Sequence, residues 1–592
     1  MKISNIKIKN FRNLKSINID LNQHTVLVGA NGSGKSNLLY ALRLILDHSL
    51  PDKKRFLDAG DFWEGLDKPF YGEEIEIHIE IKEFDDNTKL LACLHDALID
   101  KNTAKLSFVY RPRNKLEKDK AISKDQYEFI VYMGNDDNKN INNNIRYFIH
   151  LFVLKALRDA DKDFKLKYRS PLTPFLDRIY NTINLEQLDT ISKEINNSSG
   201  KIKELDEIKI LEKSINDRIV KMIGDASPIT PSLGVTSSES GQMFNSLKLF
   251  LDNRLNQDFE RISLGYANII YLLLHVLNIE EKQNNGDLAS CILGIEEPEA
   301  HLHPQMQRLI FKDIFSGHNS SIVTTHSPNI VSVAQIKSIV LLKEKSNFSE
   351  AVSLFDVDLE KTEIEDIQRY IDVTKGEIYF AKGVIFVEGI AERYLIPRIA
   401  ELMGFELDKL GICVCSIEST NFSPYIKLVG KKGLNLPYVI ITDGDLSKGS
   451  WNGYARINIL LQNLGIEKFN NLDIVTNKDE AKSYFRTKSI FIGNETLEVD
   501  LIDCGCNEEL NTTFLQINPT SHDSTKSKFK DIVDKSLTGK ENLDWYLDRI
   551  TFCGKGRFSQ RLVSNLLTKK SPEYIYEAIT KIIEVVKDNG NE

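Results

Sequence analysis

Eight residues near the start of the chain have the composition of a phosphate-binding loop. Residues 29–36 read GANGSGKS and fit the pattern G-x-x-x-x-G-K-[ST] between an apolar strand-like run and an amphipathic helix-like run. In such a loop, backbone N–H groups surround nucleotide phosphates, the lysine contacts the terminal phosphates and the last hydroxyl ligates magnesium. We therefore expect a site for ATP with Mg²⁺. The cofactor-binding candidates are Asn31, Gly32, Ser33, Gly34, Lys35 and Ser36.

Two later apolar runs end in residues that would complete a nucleotide site. The first leads into Glu296, which would hold magnesium through water, and Glu297, which would orient or deprotonate the attacking water. The second leads into His326, where a histidine can sense the terminal phosphate. These positions predict an ATPase rather than a protein that only binds nucleotide.

A separate group of carboxylates follows strand-like runs in the C-terminal half. One run ends at Glu388, and another ends at Asp443 and Asp445. Because the carboxyl ends of parallel strands lie at one edge of a sheet, we expect these side chains to meet there. Glu392 follows Glu388 by four residues, which predicts that both lie on one side of a helix.

Such a group of acids predicts a metal centre. Carboxylates at one edge repel one another unless cations lie among them, and oxygen-only ligation suits Mg²⁺ or Mn²⁺. Two ions a few ångströms apart can activate a water and stabilise the departing oxygen of a phosphodiester. The chain therefore combines a predicted nucleotide site with a predicted phosphodiester-cleaving site.

Bulk properties fit a soluble protein of several domains. The 592 residues are 41% hydrophobic and 27% charged, and no apolar run reaches the roughly 18 residues that span a bilayer. The N-terminus lacks a signal-peptide core, and seven scattered cysteines favour reduced thiols, so we expect a cytoplasmic location and no membrane partner.

A net charge of −9 means that any DNA-binding surface must be local. The candidate basic clusters are 53–55, 165–169, 427–432 and 526–530.

Several motifs resemble those of ABC-superfamily ATPases of the RecF, SMC and OLD types. Three stretches carry the resemblance: IKIKNFRN at 6–13, SLGY at 263–266 and EEPEAHLHP at 296–304. The middle stretch is a degenerate signature motif, because Tyr266 replaces the usual second glycine. The resemblance implies that Ser263 and Gly265 contact ATP bound by a second subunit. It also implies that His301 and His303 belong to a D-loop rather than to a metal site.

The C-terminal half resembles a Toprim domain, and the whole chain resembles the OLD-family endonucleases. Two further stretches support this resemblance, NETLEVDL at 494–501 and GKGRFS at 554–559. They imply that Glu498 is a metal ligand, with Asp500 as a further candidate. They also imply that Lys555 stabilises charge on the phosphoryl transition state. The loop at 416–420 lacks a glycine pair that relatives often have, which leaves the role of Glu418 open.

The resemblance implies an α/β fold with two parts. The first is an ABC-type P-loop ATPase domain with a helical insertion, and the second is a C-terminal Toprim domain with a Rossmann-like parallel sheet. The expected segments are a first ATPase segment at 1–165, a dimerising helical insertion at 166–245, a second ATPase segment at 246–350 and a Toprim nuclease domain at 376–592.

The implied function is a metal-dependent endonuclease that nicks or cuts double-stranded DNA in antiviral defence, with the ATPase domain regulating the Toprim site. The expected cofactors are ATP with Mg²⁺, and two Mg²⁺ or Mn²⁺ ions per Toprim site. The expected partners are double-stranded DNA, further copies of the chain in a dimer or tetramer, and a helicase-like protein. The catalytic candidates are Glu297, Glu388, Asp443, Asp445 and Lys555. The metal-ligand candidates are Glu388, Glu392, Asp443, Asp445 and Glu498.

One alternative function stays open from the sequence. A DNA-repair ATPase of the RecF or SMC kind would clamp DNA without cutting it. That alternative leaves the carboxylates at the strand ends unexplained.

Overall fold

The structure, a computed structural model, divides into two compact units, Met1–Phe355 and Asp356–Glu592. It describes residues 1–85, 87–113, 123–141, 143–155, 170–182, 204–224, 231–235, 247–250, 264–300, 302–371, 375–445, 452–470, 478–535, 539–567 and 570–591. Within these ranges, no helix has the length and apolar character needed to cross a membrane.

Two large sheets form the first unit, together with a two-stranded pair. Its strands are β1 (Lys2–Phe11), β2 (Leu14–Asp20), β3 (His24–Gly29), β4 (Ile75–Lys82), β5 (Ala104–Pro112), β6 (Tyr127–Met133), β7 (Ile149–Leu154), β8 (Ser232–Val235), β9 (Leu247–Phe250), β10 (Ser290–Glu296), β11 (Ser320–Thr324), β12 (Ile339–Glu344) and β13 (Ser349–Ser353). Its helices are α1 (Lys35–Leu46), α2 (Thr88–Leu94), α3 (Asn143–Phe148), α4 (Thr173–Thr182), α5 (Asp206–Ile223), α6 (Leu264–Asn284), α7 (Pro304–Phe315) and α8 (Pro328–Val331).

The central sheet positions the nucleotide motifs. Its strand order is β13–β12–β3–β11–β10–β7, and all neighbours are parallel except the edge strand β13. Strands β3 and β10 are buried and apolar along most of their length, as expected for a sheet covered on both faces. Because β11 lies between β3 and β10, the carboxyl ends of these three strands bring residues 29–36, 296–297 and 325–326 to one edge.

The second large sheet is antiparallel, with the order β2–β1–β4–β5–β6. In β4, buried isoleucines alternate with partly exposed Glu76, His78 and Glu80, so one face of the strand joins the core. That core also contains the apolar face of α1.

Within the described residues, the predicted helical insertion contains the helices α4 and α5 and the strand β8. The apolar residues Ile208, Leu211, Ile215 and Ile219 of α5 are buried in a core shared with α6 and α7. Residues 185–195 of the same expected insertion lie outside the described residues. Strands β8 and β9 pair in antiparallel fashion and extend past residue 245, where the expected insertion ends.

A four-stranded parallel sheet is the centre of the second unit, as predicted. Its strands are β14 (Gly383–Val387), β15 (Ile412–Ser416), β16 (Tyr438–Thr442) and β17 (Ile490–Ile492), in the order β15–β14–β16–β17. Its helices are α9 (Lys361–Tyr370), α10 (Ile390–Met403), α11 (Leu407–Leu410), α12 (Ser423–Val429), α13 (Asn452–Asn463), α14 (Lys478–Thr487), α15 (Leu497–Asp503), α16 (Asn507–Ile517), α17 (Asp523–Asp534), α18 (Lys540–Cys553), α19 (Lys555–Asn565) and α20 (Glu573–Asn591). The sheet shares one core with α10, α15, α19 and α20, which fixes the strand ends relative to these helices.

Candidate nucleotide and metal sites

The phosphate loop of the first unit has a backbone that requires its glycines. Gly29, Gly32 and Gly34 have positive φ angles of +151°, +82° and +96°, a region that L side chains rarely adopt. A Cβ at Gly29 would also stand 2.3 Å from the Leu342 carbonyl oxygen of β12. The Ser33 hydroxyl is buried in this loop and makes no hydrogen bond within the described part of the chain. These features fit a loop whose polar groups bind phosphate oxygens.

Lys35 begins α1, and its ammonium group lies within the loop. Its Nζ donates to the Gly29 and Ala30 carbonyl oxygens, each at 2.9 Å. Burial lowers the pKa of Lys35 to about 8, although Glu297 and Glu299 act in the opposite direction. Phosphate charge at this position would favour the protonated form, so the residues present fit a nucleoside triphosphate.

Glu297 and His326 lie together at the ends of adjacent strands. The Glu297 N–H donates to the Thr324 carbonyl oxygen at 2.9 Å, and Glu297 has a φ of 41°, which is uncommon for a residue other than glycine. His326 Nε2 is 3.6 Å from Glu297 Oε1, and burial lowers the pKa of His326. Glu297 therefore has a strained backbone and a carboxylate next to a histidine. This pair is suited to position a water near the terminal phosphate.

Sequence analysis did not identify two groups of polar residues that support this edge. Glu299 accepts hydrogen bonds from Thr325 Oγ1 at 2.9 Å and from the His326 N–H at 2.6 Å, which joins the loop after β10 to the loop after β11. In the sequence, only the position of Glu299 in the acidic run after β10 indicates this role.

The second supporting group reaches the phosphate loop from the β1–β2 turn. Asn13 Nδ2 donates to the Gly32 carbonyl oxygen at 2.9 Å, and Asn37 Nδ2 donates to Asn13 Oδ1 at 2.8 Å. Arg12 Nη1 donates to Asn37 Oδ1 at 2.8 Å. These bonds attach the phosphate loop to the β1–β2 turn and to α1.

The remaining nucleotide-site candidates are placed as follows. Glu296 is the last residue of β10, and Gly265 is the second residue of α6. His303 is the N-cap of α7 and accepts from the Gln305 N–H at 3.4 Å, a structural role. Ser263 and His301 lie outside the described residues.

In the second unit, Glu388 and Asp443 follow the adjacent parallel strands β14 and β16. Glu388 Oε1 accepts from the Asp443 N–H at 3.2 Å and from the Thr442 hydroxyl. Asp443 Oδ1 accepts from the Leu497 N–H at 3.2 Å, which ties the end of β16 to the start of α15. The structure thus brings these two predicted acids together.

Glu392 is close to this group, but not for the reason that its spacing suggested. Helix α10 begins at Ile390 with Gly389 as N-cap, so Glu388 precedes the helix and the expected i, i+4 relation is wrong. Glu392 lies in the first turn of α10, is 8% exposed, and its Oε2 makes no hydrogen bond in the described part of the chain. A buried carboxylate oxygen without a donor is the chemistry expected of a metal ligand.

Glu498 and Lys555 complete the cluster from the helical part of this unit. Glu498 lies in α15 with its side chain buried, and Lys555 Nζ is 3.1 Å from Glu498 Oε1. Burial alone lowers the pKa of Lys555, but Glu498, Asp443 and Glu392 outweigh it and the net pKa is raised. Lys555 therefore carries a positive charge beside the carboxylates.

The acids of this cluster repel one another. Burial, followed by the charges of Glu498 and Glu388, raises the pKa of Glu392 to about 7. Burial and four surrounding carboxylates raise the pKa of Asp443 well above its usual range. A divalent cation would relieve this repulsion, and an all-oxygen donor set suits Mg²⁺ or Mn²⁺. The donor chemistry of these residues therefore fits the ions that the fold implies.

Arg456 on α13 was not identified from the sequence, although it neutralises part of this charge. Its Nη1 donates to Asp445 Oδ2 at 2.8 Å and its Nη2 donates to Glu388 Oε1 at 3.1 Å. Asp445, which accepts from this guanidinium, has a φ of 51°, a value that is uncommon for a residue other than glycine. In the described part of the chain, no three His, Cys, Asp or Glu side chains stand close enough to hold an ion. Arg456 holds two of the acids, Asp445 and Glu388, by these hydrogen bonds.

Two further acids of the sequence analysis have structural partners. Asp500 accepts from the Asn494 and Glu495 N–H groups, each at 3.1 Å, and so fixes the loop before α15. Glu418 is exposed and lies 3.6 Å from Lys375 Nζ.

Replacing Arg456 with glutamine tests its charge-balancing role. We expect Arg456→Gln to lower the melting temperature in chelator by several degrees, because two partly buried carboxylates lose their cationic partner, at a cost of about 1–3 kcal/mol. Added Mn²⁺ should then raise the melting temperature more in the variant than in the wild type. Differential scanning calorimetry with Arg369→Gln, an exposed helical arginine, as control would measure this. Equal melting temperatures in chelator would contradict the role.

Models of known protein families match segments of both units. A family model described as AAA ATPase domain matches residues 1–331, which is more than half of the chain. The chain belongs to this AAA ATPase family. The AAA ATPase segment contains the phosphate loop, Glu296, Glu297 and His326. A second model, described as overcoming lysogenization defect protein-like, TOPRIM domain, matches residues 379–445, which include Glu388, Glu392, Asp443 and Asp445.

Two relatives of this AAA ATPase family member match about three quarters of the chain. The chain is 24% identical to "Endonuclease GajA" of Bacillus cereus over 76% of this chain and 74% of that protein. It is 21% identical to "OLD nuclease" of Thermus scotoductus over 75% of this chain and 82% of that protein. The C-terminal region of the Xanthomonas campestris OLD protein, a solved structure, is 34% identical over 36% of this chain and 98% of that chain, with a TM-score of 0.32. The predicted resemblance to OLD-type proteins and the predicted fold class are confirmed.

Proposed function

We propose that this protein is an ATP-binding, metal-dependent endonuclease that nicks or cuts double-stranded DNA. The observation that carries the proposal is the convergence of Glu388, Glu392, Asp443 and Glu498 with Lys555 at the carboxyl edge of the sheet of the second unit. The names of the relatives, an endonuclease and a nuclease, support the same reaction class.

Each residue of the cluster has a role suited to phosphodiester hydrolysis. Glu388, Glu392, Asp443, Asp445 and Glu498 would hold the Mg²⁺ or Mn²⁺ ions, which supply a Lewis acid and an activated water when bound. Lys555, whose ammonium pairs with Glu498, would stabilise the negative charge that grows on the phosphoryl oxygens in the transition state. Arg456 is a further positioning residue, because it orients Glu388 and Asp445.

The AAA ATPase domain would regulate this site. Lys35 and the loop N–H groups would bind the ATP phosphates, Ser36 and Glu296 would hold Mg²⁺, and Glu297 would activate water. Ser263 and Gly265 of one copy would contact ATP bound to another copy, so ATP would favour a dimer or tetramer. A role in antiviral defence with a helicase-like partner is the biological setting that the resemblance to OLD-family endonucleases implies.

A clamp that binds DNA without cutting it is the second candidate function. The first unit alone would support that function, because its nucleotide edge needs no second site. The buried carboxylate cluster beside Lys555 argues against it, since a clamp gains nothing from acids that repel one another.

Metal removal tests the proposal directly. Purified full-length protein is incubated with supercoiled plasmid in chelator, Mg²⁺ or Mn²⁺, each with and without ATP. We expect no nicking in chelator and nicking restored by either metal, because no water is activated for attack on the phosphodiester without the ions. Agarose gels resolve supercoiled, nicked and linear forms. Nicking that persists in chelator would reject the metal-dependent site, and no cutting under any condition would favour the clamp.

A further inference from the structure

The region around Lys555 has a surface that the proposed hydrolysis does not use. Residues 549–572 contain six Lys and Arg residues and no Asp or Glu, in a chain whose net charge is −9. Phe552, the next-to-last residue of α18, is 81% exposed. A phenylalanine this exposed loses the stability that burial would bring, so a ligand that covers it would account for its position.

Helices α10 and α19 place this region beside the carboxylate cluster. A Cβ at Gly556 would be 3.0 Å from Ile390 Cγ2, so the starts of the two helices are in contact. Arg398 Nε donates to the Leu566 carbonyl oxygen at 3.2 Å, so their ends also meet. The helices therefore run side by side in the same direction, and both begin at the cluster that contains Glu392 and Lys555.

Both helices of this pair carry exposed side chains, apolar on α10 and basic on α19. Ile390 and Tyr394 lie one turn apart on α10 and are 42% and 38% exposed. Arg557 and Arg561 lie one turn apart on α19, and both are exposed. We define the strand-binding face as Phe552, Ile390, Tyr394, Arg557 and Arg561.

We propose that the strand-binding face holds an unpaired segment of one DNA strand next to the scissile phosphate, with Phe552 stacking on a base. This inference rests on the proposed nuclease function. Arginines suit the phosphates of the strand, and exposed aromatic rings suit bases that are not stacked in a duplex. In intact duplex the base faces are covered by their neighbours, so Phe552 gives the protein a preference for frayed, gapped or melted DNA.

The test measures DNA binding in chelator, where no cutting occurs. Fluorescence anisotropy compares labelled oligothymidylate with a blunt duplex of the same length, using the full-length protein. We expect Phe552→Ala and Phe552→Leu to weaken binding of the single strand about 5- to 150-fold, while duplex binding changes less than about threefold. Phe552→Trp should retain the affinity, because it keeps the ring. Tyr576→Ala, which removes another half-exposed aromatic residue on α20, is the matched control and should bind as the wild type.

A second arm measures the charge contribution. The double variant Arg557→Gln/Arg561→Gln should reduce the slope of log K against log salt by about 1.4 for the single strand, about 0.7 for each lost phosphate contact. Unchanged single-strand affinity in Phe552→Ala, an equal loss on the duplex, or no binding of either DNA by the wild type would overturn the proposal. Because this assay measures binding without cleavage, a negative binding result does not reject the nuclease function. Conversely, a protein that binds as expected but does not cut DNA rejects the nuclease function and keeps the strand-binding face.

Discussion

Replacing Asp443 with asparagine is expected to abolish DNA cutting in every condition, with a loss of at least about a thousandfold. Asparagine keeps the size of the side chain and an oxygen that can accept from the Leu497 N–H. It removes the negative charge that four other carboxylates surround, and with it a strong ligand for a divalent cation. Plasmid nicking with Mg²⁺ and with Mn²⁺ measures the loss, and Asp408→Asn, an exposed acid on α11, is the control.

Thermal unfolding gives this prediction a second readout. The pKa of Asp443 is raised in the folded protein, so its ionised form opposes folding at neutral pH, where the unfolded chain carries it freely. We therefore expect Asp443→Asn to be at least as stable as the wild type in chelator, and to show a smaller rise of the melting temperature with Mn²⁺. A variant that cuts DNA normally would remove Asp443 from the site, whereas one that unfolds in chelator would indicate a structural role.

The strand ends of both units were predictable because a local pattern controls them. Apolar runs followed by acids mark the carboxyl ends of β10, β14 and β16, and parallel pairing brings such ends to one edge whatever the intervening sequence. For this reason Glu297, Glu388 and Asp443 could be named from the sequence.

The side chains that hold these sites from neighbouring elements were not predictable. Arg456 lies in a helix with no motif of its own, and its role depends on the packing of α13 beside the ends of β14 and β16. Glu299 and Asn13 act through backbone contacts that only the folded loops create. Glu392 lies beside the cluster, but the helical relation to Glu388 on which its prediction rested is wrong, because α10 begins after Gly389.

Two members of the basic clusters in the sequence have partners within the protein. Arg55, in the cluster at 53–55, is buried and donates to the Leu44 and Asp47 carbonyl oxygens, so it cannot contact DNA. Lys427 pairs with Glu363 at 2.9 Å. The acid-free stretch at 549–572 was not singled out, because its basic residues are spaced along helices rather than clustered. The exposure of its basic residues in the fold, rather than the density of charge along the sequence, distinguishes this stretch.

Replacing Lys35 with alanine should separate the two activities of the chain. The ammonium makes two hydrogen bonds within the phosphate loop, and equivalent bonds to phosphate are worth about 1.5–3 kcal/mol each, so ATP affinity should fall roughly a hundredfold or more. Metal-dependent nicking should persist, because the carboxylate cluster belongs to the other unit, but its response to ATP should disappear.

Equilibrium binding of a fluorescent ATP analogue and plasmid nicking across an ATP titration would measure both effects of the Lys35 change. Lys53→Ala, which removes an exposed lysine of the same unit, is the matched control and should behave as the wild type. If Lys35→Ala still responds to ATP, the nucleotide acts elsewhere and residues 29–36 are not its site. If the variant loses nicking altogether while remaining folded, ATP binding is a requirement for cutting rather than a modulator. The phosphate loop and the carboxylate cluster would then form one obligatory mechanism, because the acids alone would be unable to cut.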